Sequence, residues 1–322
     1  MPISSPRRSA RLIVACAVAM FLTIPAAAGA KTTGADLRVI GPSGQTLAEQ
    51  LQYTSSVKVK TDLRAQCFGS GTGGTGSKVK LSGPNALGIV HDASATARDV
   101  RPLSVTDAFD FGLGICGIGG FQAQGDASWY LKHNHAGAQV GAEQIRLHKG
   151  DDVLWYLAPG FPYPPELSLQ APGQVDPGSE VEVNVFQYGD DGARTPAVGA
   201  TVTGGDAAVS TNAQGTANVS VGSGSATLRA TRDADIPSDE TTVCVAESSS
   251  ECSPQQLIAG TGKRDTIKGT KLADKIKARA GNDVVRGRGG GPDRINCGSG
   301  KRDEAIVDAD DTVRACEKVK RK

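Results

Sequence analysis

Between residues 260 and 307 an aspartate returns at a nearly fixed interval. Asp265, Asp274, Asp283, Asp293 and Asp303 step by nine, nine, ten and ten residues. After the first four, an apolar residue follows two positions later: Ile267, Ile276, Val285 and Ile295. The chemistry this offers is cation binding. Carboxylates stacked along one edge repel one another unless a hard cation neutralises them, and calcium is the expected ion.

A period of nine is too short for a folded domain and suits one turn of a β-roll. In such a roll a glycine-containing segment turns and the apolar residue enters a thin core shared with the next coil. Glycine is lost from several turns. Lys263, Leu272 and Lys301 stand where the turn calls for a glycine just before the aspartate, and Ala278 replaces an earlier one, whereas Gly281 before Asp283 and Gly291 before Asp293 remain. A side chain there disfavours the positive φ that aims a carbonyl at an ion. Asp283 therefore sits in the best preserved turn. Nearby cations, among them Lys263, Arg264, Lys275, Arg279, Arg286 and Arg288, offer a neutralisation in cis. The cluster Asp308/Asp310/Asp311 is a further ligand set without the glutamate spacing of an EF-hand.

This stretch resembles the calcium-binding nonapeptide (RTX, haemolysin-type) repeats of secreted toxins and proteases. The resemblance implies that Asp265, Asp274, Asp283, Asp293 and Asp303 provide carboxylate ligands, with Gly281 in the turn and backbone carbonyls completing the set.

A second candidate constellation is His133 and His135. Two apart on an expected strand, they would present imidazoles to one face, with Asp126, Glu143 or His148 as further ligands to a metal. Solvent-facing histidines near a turn are the plainer account. Adjacent Asp151 and Asp152 point to opposite faces of a strand and read as turn chemistry rather than a catalytic carboxylate pair. Trp155, Phe161 and Tyr163 form either an aromatic rim or junction packing. The run Gly69–Ser77 satisfies a Gly-x-Gly-x-x-Gly pattern, but no strand–helix alternation surrounds it, so it reads as a loop.

The elements that carry these residues are mostly short strands. The chain has 322 residues, 41 glycines and only 4% aromatics, with a formal net charge of +1. Such totals fit two or three small β-rich domains, and the near-zero net charge makes the whole molecule no polyanion binder, although the repeat region and its Lys318–Lys322 end are basic. Residues 1–30 carry Arg7, Arg8 and Arg11, an apolar run and small residues before Lys31, which reads as a signal peptide, with no transmembrane span left after cleavage. Export leaves six cysteines, and chain order favours Cys67 with Cys116, Cys244 with Cys252, and Cys297 with Cys316. The last of these would cap the end of the roll.

In residues 31–165 strands are expected at 37–40 and 57–61, a helix at 85–98, and an aromatic strand at 129–135. The order of helix, glycine-rich strand, Trp129-Tyr130, Val140-Gly141-Ala142 and Gly150-Asp151-Asp152-Val153-Leu154-Trp155-Tyr156 resembles the domain similar to the C-terminal part of transcobalamin. That resemblance covers roughly residues 80–158 and implies a small α+β fold; in transcobalamin this domain closes over a corrinoid held against a large helical barrel, and with no such barrel in this sequence corrinoid binding does not carry over. Residues 166–246 hold alternating strands every ten or so residues, an immunoglobulin-type sandwich. Pro196 to Val202, Thr211 to Ala217 and Ala226 to Thr231 resemble bacterial immunoglobulin-like and carboxypeptidase-regulatory-like spacer modules. Residues 247–256 read as a linker and 257–322 as the roll.

The expectation is therefore a mainly β, multidomain, exported or cell-surface binding or adhesion-type protein without enzymatic activity. Its partners would be calcium ions and anionic cell-envelope polymers or an unknown small ligand, and not nucleic acid. The alternatives are corrinoid-like ligand carriage, or a secreted metal-dependent hydrolase around His133 and His135.

Overall fold

The computed structural model describes residues 32–248, 251–252, 256–287, 289 and 291–322. The signal peptide expected at 1–30 lies outside them, as do Arg288 and part of the 247–256 linker. The protein is mainly β, with one α-helix among the described residues, Ala86–Ala93. That helix is shorter than the sequence suggests. Asn85 caps its start by accepting from the Gly88 amide at 2.8 Å, and the chain passes from Ser94 through tight turns into a 3₁₀ turn at Arg98–Val100.

The core of the first unit lies between this helix and a sheet. Leu37, Val39, Val153, Trp155, Trp129 and Leu131 pack under Leu87, Ile89 and Val90. Trp155 belongs to this core, its Nε1 donating to the Ala86 carbonyl at 3.1 Å, so it is no part of an exposed rim. Strand Asp152–Ala158 runs parallel to Thr33–Ile40 and antiparallel to Ser128–His133. Its alternate residues Leu154, Tyr156 and Ala158 face the other way, against Ile40 and Ile236. The sheet is thus buried on both faces, and its second face looks onto the next unit.

That next unit has two sheets around one core. Glu166–Gln170, Glu180–Tyr188, Arg194–Pro196 and Thr216–Ser220 make one; Gln174–Val175, Thr241–Val245, Gly224–Thr231, Thr201–Thr203 and Val209–Ser210 make the other. Inward residues alternate along the strands, as at Val181, Val183 and Val185. The glycine-rich strand expected after the helix is a hairpin, Leu103–Phe109 with Gly112–Ile118, turning at Asp110-Phe111. The loop through Gly69–Ser77 is tied down by Asp107, which accepts from the Thr75 amide at 2.7 Å and its hydroxyl at 2.6 Å.

The C-terminal segment is a flattened coil of two parallel sheets. Thr266–Lys268, Val284–Arg286, Glu304–Val307 and Lys318–Arg321 stack on one side; Gln256–Ala259, Asp274–Lys277, Arg294–Asn296 and Thr312–Arg314 stack on the other. Nine residues make half a coil rather than a whole one. Each three- or four-residue strand covers one side, the chain reverses, and in-register partners lie 18 to 20 residues apart, as in Ile267↔Val285 and Ile276↔Ile295, shortening to 14 at the last pair, Glu304↔Lys318. The inward residues Ile258, Ile267, Ile276, Val285 and Ile295 form the thin core.

One side of this coil does not end at the coil. Gln256–Ala259 pairs in parallel with Thr46–Thr54 of the first unit, giving a single nine-stranded sheet across both. Tyr53 from that strand enters the coil core, and its hydroxyl accepts from the Lys268 amide at 3.2 Å. At the far end Cys297 and Cys316 pair, and Cys67–Cys116 and Cys244–Cys252 complete the three bridges, with Cα atoms 4.7 to 5.7 Å apart. Among the described residues no helix is long and apolar enough to cross a membrane.

Candidate metal centres

Because the coil reverses every half turn, its aspartates form two ladders instead of one edge. In the first, the Asp265 amide donates to Asp283 Oδ1 at 2.7 Å, the Asp283 amide to Asp303 Oδ1 at 2.7 Å, and the Asp303 amide to Glu317 Oε2 at 2.7 Å. In the second, Asp274 donates to Asp293 at 2.9 Å, and Asp293 to Asp311 at 2.8 Å. Asp311 and Glu317 are rungs that the nine-residue period conceals, since the spacing shortens after Asp303. Every aspartate of the ladders is buried beneath a turn.

The rungs differ in how their second oxygen is treated. Asp265 receives the Thr261 amide at 2.6 Å and the Thr261 hydroxyl at 3.1 Å. Asp274 receives the same pair from Thr270, at 2.6 and 2.9 Å. The turns before Asp283, Asp293 and Asp303 have no such threonine, and Oδ2 of each is buried without a hydrogen-bond partner. Burial pushes the carboxyls of Asp283 and Asp293 up to about 7, reinforced by neighbouring aspartates.

The glycines hold space beside these oxygens. A Cβ on Gly281, whose φ is +142°, would meet the Lys263 carbonyl and lie 2.7 Å from Asp283 Oδ1. One on Gly300 would collide with the Gly281 carbonyl and both oxygens of Asp303. Carbonyl and carboxylate oxygens therefore converge at these two turns, the donor set that a hard cation takes. The expected neutralisation in cis does not occur: among the described residues no lysine or arginine pairs with a ladder aspartate. The carboxylates point under the turns while the cations point out. Lys263 bonds Ser56, and Arg279 donates to the Gly260 carbonyl at 3.3 Å.

The two histidines go to different places. The strand stops at His133, and Asn134 and His135, with φ of +51° and +69°, form the two-residue turn of a hairpin to Ala136–Gly137. His133 Nε2 meets Asp151 Oδ2 at 2.9 Å, and His148 lies 3.7 Å from the same oxygen. His135 instead stacks on Tyr188 of the second unit and places Nδ1 3.1 Å from Glu166 Oε1. No shared face for His133 and His135 exists, because the turn rotates the second away.

What His135 does join is a cluster the sequence hides. Ligand atoms of His135, Asp152 and Glu166 all lie within 4.8 Å of one another. Glu166 is fully buried, and its Oε1 also pairs with the buried guanidinium of Arg38, which further donates to the Pro237 carbonyl. Burial drives the Asp152 carboxyl up to about 6, against the pull of Arg38. Burial opposes the charge on His135, but the hydrogen bond and charge of Glu166 outweigh it and raise that imidazole. Alternation along 151–158 already places Asp152 opposite Asp151; what is missing from the sequence is the second unit covering that face. A comparison with family models, curated proteins and solved structures finds no match, so the reading of both sites rests on their own geometry.

Proposed function

We propose that this is an exported, modular binding protein of the cell surface whose C-terminal coil takes calcium at its later turns. The observation that carries the reading is the set of buried, unpartnered Oδ2 atoms on Asp283, Asp293 and Asp303, beside turns whose carbonyls crowd the same space. Asp283 and Asp303, with Gly281 and Gly300 keeping their turns open, would hold the ion, and Asp293 with Asp311 would form the companion ladder. Asp265 and Asp274, already bonded by Thr261 and Thr270, serve as fixed rungs. Calcium supplies charge neutralisation there, stabilising the coil rather than driving a reaction.

The resemblance to RTX repeats, to an immunoglobulin-like spacer and to the transcobalamin-like domain supports this architecture of coil, stalk and recognition unit. Export is supported by three cysteine pairs at bonding distance. The outer faces of the coil are basic: Lys275, Lys277, Arg294 and Arg314 line one sheet, and Lys268, Arg286, Lys318 and Lys320 the other, where Glu304 pairs with the last two. Such faces suit anionic cell-envelope polymers.

Calorimetric titration of the full chain with calcium at pH 8 tests the reading. Binding in the range of extracellular modules, about 0.1 to 1 mM, that disappears in the double variant Asp283→Asn/Asp303→Asn is expected. No heat and no shift in Tm at millimolar calcium would overturn it.

A further inference from the structure

The cluster at the junction of the first two units has a chemistry unlike that of the coil. His135 comes from the hairpin turn, Asp152 from the start of the central strand and Glu166 from the first strand of the sandwich. Three segments thus bring one imidazole and two carboxylates together. Arg38 and His135 both bond Oε1 of Glu166, so Oε2 is left buried with no partner, and Oδ1 of Asp152 is in the same condition. Leaving two such oxygens unsatisfied inside a protein is costly, and one missing group between them would resolve both.

The charge around the cluster points the same way. His135 and Asp152 open onto a cavity of about 600 Å³ between the units. Its wall carries five carboxylates, from Asp36, Glu49, Asp152, Asp239 and Glu240, against Arg38 and His135. Glu166 adds a sixth behind them, and Arg229 reaches in only to pair with Glu49 at 2.7 Å and Glu240 at 3.3 Å. Lys132 is committed to the carbonyls of Tyr188 and Gly189, at 3.2 and 3.0 Å. An excess of negative charge remains.

We infer that His135, Asp152 and Glu166 form a binding site for a divalent transition-metal cation of the zinc class, which clamps the first unit to the sandwich. One nitrogen and two oxygens are too few donors for calcium, which takes six to eight oxygens. They suit zinc, whose three-ligand sites leave a further position to water, here supplied from the cavity. Arg38 then acts as the outer partner that fixes Glu166 in place while its second oxygen turns to the ion. The site is independent of the coil, whose turns offer oxygen donors only.

The test uses the full, oxidised chain, stripped with chelator and dialysed against zinc in excess calcium. One zinc per chain by elemental analysis is expected. His135→Gln and Asp152→Asn should each weaken zinc roughly tenfold or more, while His133→Gln and Asp283→Asn leave it unchanged. Folded wild-type protein that retains no zinc, or zinc lost with His133→Gln but not with His135→Gln, overturns the site. Should the junction variants fail to fold, cobalt(II) loading of the wild type decides: strong visible bands of a low-coordinate, imidazole-bound ion support it, and the weak spectrum of six-coordinate cobalt overturns it.

Discussion

The amide of Asp265 donates to Oδ1 of Asp283 at 2.7 Å, while Oδ2 of the same carboxylate is buried with no partner. One rung of the ladder is therefore held by half of its carboxylate, and the other half is free to bind.

The pH dependence of the ion-free protein follows from that arrangement. Burial raises Asp283 and Asp293 to about 7 when folded, from about 3.9 when unfolded. The folded state therefore holds extra protons over this window. The stability tied to them is fully present below about pH 4 and is lost as pH rises through about 7. Chelator-treated protein should melt at a lower temperature at pH 8 than at pH 5, and calcium at pH 8 should restore the difference. A Tm that climbs between pH 5 and 8 without calcium would contradict this.

At the first two rungs a threonine satisfies the carboxylate. Replacing Thr270 with valine removes the hydroxyl bonded to Asp274 at 2.9 Å and leaves a buried carboxylate less satisfied. A loss of about 1 to 3 kcal/mol is expected, read by denaturant unfolding with calcium present throughout. An unchanged midpoint would show that the hydroxyl adds nothing to the rung.

The period of the coil was legible in the sequence because each half turn repeats the same local requirement, an aspartate under the turn and an apolar residue two positions on. The number of ladders was not, since a spacing of nine does not say whether consecutive strands fall on the same side. Asp311 stood out only as a member of the 308–311 cluster, and Glu317 not at all, because the spacing shortens where Glu304–Val307 and the Cys297–Cys316 bridge close the coil. The cluster of His135, Asp152 and Glu166 was invisible for another reason. A hairpin turn redirects His135, and Glu166 follows a proline-rich stretch that gives no sign of folding back on the sheet.

Tyr53 couples the first unit to the coil. It sits in the strand Thr46–Thr54 that bonds Gln256–Ala259, yet its ring lies in the coil core. Tyr53→Ala should cost about 3 to 5 kcal/mol, as for other large aromatic truncations. Amide exchange should show Thr266–Lys268 and Gln256–Ala259 losing protection together. Loss confined to Thr46–Thr54 would mean that the coil stands without its neighbour. For the same reason the segment 257–322 expressed alone lacks one wall of its core, and the full chain is the better object for calcium titration.

Arg38 is the side chain on which the junction between the first two units turns. It is buried, pairs with Glu166 and donates to the Pro237 carbonyl across the interface. Replacing it with methionine keeps most of the volume but strands Glu166, a fully buried carboxylate whose other partner is His135. Breaking one side of a buried pair costs about 3 to 5 kcal/mol, so Arg38→Met should lower the unfolding midpoint sharply. The double variant Arg38→Met/Glu166→Leu removes both charges and should recover much of that loss, because apolar groups then meet across the junction. A double variant no more stable than the single one would show that Glu166 bears on stability through His135 and Asp152 instead, as expected if the three act together as ligands.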